Sequence, residues 1–118
     1  MADDHIHPPP PELVTFARRL VSELAYDKKN RREDRHHFAV AVEVQPLDDD
    51  RQPDGEPFVA VTRDLSGSGL GLLVSHHLRA KFVQVTFTTK EGRKPLTVEV
   101  LRCRALGRFY DVGGQFVE

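Results

Sequence analysis

"FVAVTRDLSGSGLGLLVS" (58–75) sets a strand, a turn and a second strand side by side. Phe58–Leu65 is rich in apolar and β-branched residues, Ser66–Gly69 is a polar turn, and Leu70–Ser75 turns apolar again. The rest of the chain keeps this rhythm. "FAVAVEVQ" (38–45) places Phe38, Val40, Val42 and Val44 on one face of a strand and Glu43 and Gln45 on the other. "FVQVTFTT" (82–89) alternates Val83, Val85 and Phe87 against Gln84, Thr86 and Thr88. "KEGR" (90–93) makes a hairpin loop into "PLTVEVLRCRAL" (95–106), and "RFYDVGGQFVE" (108–118) supplies a sixth strand. Between the first two strands, "PLDDDRQPDGEP" (46–57) reads as a polar loop, because three prolines and one glycine interrupt any ladder. Six short strands joined by short turns point to an antiparallel barrel or sandwich, and closure into a barrel removes open edges.

Upstream the period changes. Leu13, Phe16, Leu20 and Leu24 recur at spacings of three and four, with Ala17 and Val21 widening the stripe. This predicts an amphipathic helix over 12–29, with Pro11 near its first turn and Asn30 as a stop. Two roles suit the stripe, packing on the barrel or self-association into a homodimer. Residues 1–11, polar and proline-rich, are expected to form a flexible tail, and the barrel domain is expected over 30–118.

The chain has 118 residues, enough for one domain with its own core. A net charge of −1 gives no broad basic field, which argues against a general DNA or RNA binder. An RNA-binding barrel would also need exposed aromatics among lysines, and the chain has no Trp and two Tyr. One cysteine, Cys103, excludes an internal disulfide and fits a reducing compartment. No apolar run reaches membrane-spanning length, and "MADDHIHPPPP" (1–11) lacks the regions of a signal peptide. A cytoplasmic protein is expected, without membrane insertion.

Two motifs carry chemistry. "KKNRREDRHHF" (28–38) concentrates five basic residues and two acids between Lys28 and Arg35. Within it, Arg31 and Arg35 have an RxxxR spacing and share a face whether the segment is helical or extended. Guanidinium forks match phosphate oxygens or the O6/N7 edge of guanine. The plain alternative is a solvated charge run. The second motif is DxSxxG, Asp64 to Gly69. Asp64 and Ser66 lie two apart and project to one side of an extended chain, while the glycines allow positive φ and close approach. A carboxylate suits the N1–H and N2–H₂ donors of guanine, and the plain alternative is a Ser or Asx turn.

RxxxR before the first strand, DxSxxG about thirty residues on and the glycine-rich "DVGGQF" (111–116) together resemble the PilZ domain family. The resemblance implies a six-stranded antiparallel barrel that binds the bacterial second messenger cyclic di-GMP. It assigns guanine and phosphate contacts to Arg31 and Arg35, with Arg32 as an additional phosphate or stacking contact. Asp64 and Ser66 would bind from the opposite side, and Gly69 would keep the turn open. Where the family often carries another arginine, this chain has Asn30.

No triad, base–nucleophile pair or cofactor loop is visible, so a receptor without catalysis or cofactor is expected. It would change conformation on binding and signal to a downstream protein partner. The alternative is a PilZ-like interaction adaptor that binds no nucleotide. The six histidines include three close pairs but no metal-binding spacing, and no metal site is expected. Cys103 reads as a core or half-buried residue. Phe109 and Tyr110 are expected to close the barrel.

Overall fold

The computed structural model describes residues 9–26 and 35–117, with the backbone alone at 24–26. The predicted helix end at 27–29, Arg31, Arg32 and nearly all of the expected tail lie outside the described residues. Helix α1 (Pro11–Tyr26) precedes strands β1 (His36–His37), β2 (Ala41–Leu47), β3 (Phe58–Leu65), β4 (Gly69–Val74), β5 (Phe82–Thr89), β6 (Gly92–Leu106) and β7 (Phe109–Phe116). Pro11 opens the helix, where its missing N–H is not needed. The Pro10 carbonyl accepts from the amides of Leu13 at 3.0 Å and Val14 at 3.3 Å.

The strands run in the order β3-β2-β5-β6-β7-β4, and pairing of β3 with β4 closes a six-stranded antiparallel barrel. Two-residue β1 adds to the free flank of β3, where His37 faces Asp64 in the ladder. Val44, Leu72, Val74, Val83, Val85 and Val98 fill the interior. Each such side chain stabilises the fold by about 1.5–3 kcal/mol relative to an exposed one. A second cluster lies outside the barrel. There Leu13 and Ala17 of α1, both fully buried, pack on Val61, Leu73 and Phe109. Phe109 stacks on Phe16 with ring centroids 5.4 Å apart, so it anchors the helix rather than closing the barrel. Leu13 and Ala17 of the helical stripe are thus covered by the barrel of the same chain.

The first strand departs from the predicted alternation. Residues 38–40 leave the ladder, and Val40 is exposed. Thr62 bridges the break: its hydroxyl donates to the Phe38 carbonyl at 2.7 Å and accepts from the Val40 amide at 2.9 Å. β2 also runs further than expected, through Pro46 to Leu47. The Pro46 carbonyl accepts from Asp54, so the side of the strand on which Pro46 lacks its N–H faces the loop, not β5. β6 starts at Gly92 rather than Pro95, after a two-residue turn that Gly92 makes possible with φ of +121°.

Candidate ligand-binding site

Asp64 faces outward because β3 carries one extra residue. Thr62 pairs with Leu72 and Asp64 with Gly71, which leaves Arg63 as a β-bulge. Without it, strict alternation from Ala60 would aim position 64 into the barrel. The bulge instead sets Asp64 beside Gly71, on the outer face that also carries Leu73 and the helix.

Asp64 is only 3 % exposed, and both carboxylate oxygens are engaged. Oδ1 accepts from Arg35 Nη1 at 3.1 Å, and Oδ2 accepts from Arg63 Nε at 2.9 Å. Arg63 also donates through Nη1 to Asp111, another buried carboxylate. Its guanidinium lies where a side chain at Gly71 would be: a Cβ there would sit 2.7 Å from Arg63 Cζ. Across the same face, Arg102 lies over Gly113, with its Cζ 3.0 Å from where a Cβ would be. The result is a glycine floor overlaid by guanidinium groups, which meet the carboxylates of Asp64 and Asp111. A cavity of about 340 Å³ opens here, lined by Arg35, Arg63, Asp64, Leu101, Arg102 and Gly113, among others.

Arg35 and Asp64, one from each motif, therefore meet at the cavity. Ser66 is turned elsewhere. Its Oγ donates to the Gly69 carbonyl at 3.3 Å and accepts from the Ser68 amide at 3.4 Å and the Gly69 amide at 3.3 Å. The serine braces its own turn. Gly69 is needed for proximity rather than for φ. A Cβ there would overlap the carbonyl oxygen of Gly114 on β7, and neither Gly67 nor Gly69 adopts a positive φ.

Sequence reasoning missed Arg63, Arg102 and Asp111. Their signal was faint: glycines at 71 and 113 sit opposite each other in β4 and β7, where only a flat side chain from elsewhere can cover them. His76 and His77 serve as aromatic contacts, His76 at 4.5 Å from Phe58 and His77 at 5.4 Å from Tyr110. Among the described residues no group of three metal-ligating side chains assembles, and no helix is long and apolar enough to cross a membrane.

The PilZ domain family model matches residues 29–118, three quarters of the chain. The chain belongs to the PilZ domain family. Two solved structures share the PilZ barrel. The inhibitor of motility MotI/DgrA of Bacillus subtilis matches with a TM-score of 0.57 and 13 % identity, over 76 % of this chain and 44 % of its own. MrkH of K. pneumonia, in its complex with c-di-GMP, matches with a TM-score of 0.54 and 14 % identity, over 76 % of this chain and 45 % of its own. The PilZ chain thus covers less than half the length of either. No curated protein matches its sequence.

Proposed function

We propose that this PilZ chain is a receptor for cyclic di-GMP, without catalytic activity, cofactor or metal. The observation that carries the reading is the Arg35–Asp64 contact at 3.1 Å, which joins two motifs 29 residues apart at one cavity. The site has donors for phosphate and for the O6/N7 edge of guanine, and a carboxylate for its N1–H and N2–H₂. Adenine presents an amino donor where guanine presents O6, so the same arginines disfavour it. The family and the c-di-GMP complex of MrkH support the ligand.

Arg31, Arg32 and Arg35 act as a strap that closes over the ligand, with Asp64, Ser66 and Gly69 forming the opposing turn. Closure repositions α1, and a downstream protein reads the change. Isothermal calorimetry with cyclic di-GMP, cyclic di-AMP and GTP tests the ligand. Micromolar or tighter binding, about −8 kcal/mol, is expected for the first alone. Silence with all three would overturn the receptor reading and leave the interaction adaptor. Limited proteolysis at Arg31–Arg35 tests the strap, and equal cleavage with and without cyclic di-GMP would refute closure.

A further inference from the structure

The β6 strand carries its own bulge opposite the glycines of β7. Val100 pairs with Gly114 and Arg102 with Gly113, so Leu101 is the extra residue. Val100 and Cys103 both pack on the interior core. In a regular strand Arg102 would share the face of Val100 and point inward; the bulge sends Leu101 and Arg102 outward together. Burying an arginine inside this apolar barrel would be costly, so the bulge both spares that cost and puts a cation on the outer face.

Both side chains are presented to the cavity rather than used up by the fold. Leu101 is 61 % exposed, the most exposed large apolar side chain among the described residues. Arg102 keeps 47 % of its side-chain surface exposed and comes only within 3.7 Å of Asp111, which already accepts from Arg63. That distance is too long for a hydrogen bond, so the Arg102 donors remain available to a ligand. Arg104 makes the same 3.7 Å approach to Asp111 but does not line the cavity. Leu101 and Arg102 also border a second cavity of about 520 Å³ with His77, Arg79, Lys81 and Cys103, so both cavities share these two side chains.

We infer that the Leu101–Arg102 bulge is a ligand-binding ridge of this site, additional to the two sequence motifs. Arg102 takes a phosphate of the cyclic dinucleotide, and Leu101 supports the face of a base. The inference rests on the proposed receptor function.

The test is calorimetry of the full chain with cyclic di-GMP, with melting curves run alongside. Arg102→Ala is expected to weaken binding about tenfold or more, the scale of lost hydrogen bonds to a charged group. Arg102→Lys recovers part of the loss, because an ammonium lacks the fork. Leu101→Ser weakens binding severalfold, and Arg104→Ala leaves it within a factor of about two, as befits a surface charge away from the ligand. Melting temperatures stay near wild type. Wild-type binding together with unchanged affinity in Arg102→Ala would overturn the ridge alone, as would equal losses in Arg102→Ala and Arg104→Ala. If the wild-type chain takes up no cyclic di-GMP, the receptor reading fails first and the ridge with it.

Discussion

Arg63 Nε donates to the carboxylate of Asp64, its neighbour in sequence, at 2.9 Å. Successive residues of a regular strand point to opposite faces and do not meet in this way. The pair forms because Arg63 is the bulged residue of β3. Arg63 then reaches across Gly71 to Asp111 and ties β3 to β7 over the top of β4. One bulge thus turns a buried carboxylate toward the cavity and supplies the cation that makes its burial tolerable.

Asp64 and Arg35 should separate when replaced by Ala. Asp64→Ala removes the acceptor of two guanidinium groups and is expected to lower stability by about 1–3 kcal/mol while abolishing cyclic di-GMP binding. Arg35 keeps 41 % of its side chain exposed, so Arg35→Ala should lose at least about tenfold in affinity with little change in stability. Urea denaturation and calorimetry on both variants measure the split; a large stability loss in Arg35→Ala would contradict it.

Gly67 and Gly69 differ sharply despite sharing one turn. A Cβ at Gly69 would overlap the Gly114 carbonyl, so Gly69→Ala is expected to destabilise by at least about 2 kcal/mol. Nothing lies within 4 Å of a Cβ at Gly67, and Gly67→Ala should stay within about 0.5 kcal/mol of wild type. Denaturation midpoints of the two variants decide it.

Thr62→Val keeps the shape of a fully buried side chain and deletes its hydroxyl. The Phe38 carbonyl then loses a donor and the Val40 amide an acceptor. A loss of about 1–3 kcal/mol follows. Faster amide exchange at Val40 would locate the damage, and unchanged exchange there would contradict the bridging role.

Leu13→Ala opens a hole in the cluster beneath α1, where Leu13 meets barrel residues rather than solvent. The expected cost is about 2–5 kcal/mol. A surface-like value below about 0.5 kcal/mol in thermal or urea unfolding would show that the helix does not dock as described.

Local chemistry was enough to find the helix and the six barrel strands. Periods of 3.6 and two are written residue by residue, and Leu13, Ala17, Val42, Val44, Val83 and Val85 are buried where those periods place them. The spacing of Arg35, Asp64 and Gly69 was likewise visible in one dimension. The departures arose where backbone groups were satisfied by distant parts of the chain. Thr62 supports the break at 38–40, and Asp54 bonds the carbonyl of Pro46. No local pattern announces either partner.

The composition of the site depended on pairing across the sheet. A bulge is a mismatch between two strands, so it cannot be read from one of them, yet it reverses which face every later residue occupies. The bulges at Arg63 and Leu101 bring Asp64 and Arg102 to the outer surface, and the β4–β7 register sets Gly71 against Gly113 beneath their guanidinium partners. Residue order therefore carried the elements and the motif chemistry. The cavity came from long-range register, because strand faces are assigned only once neighbouring backbones have aligned.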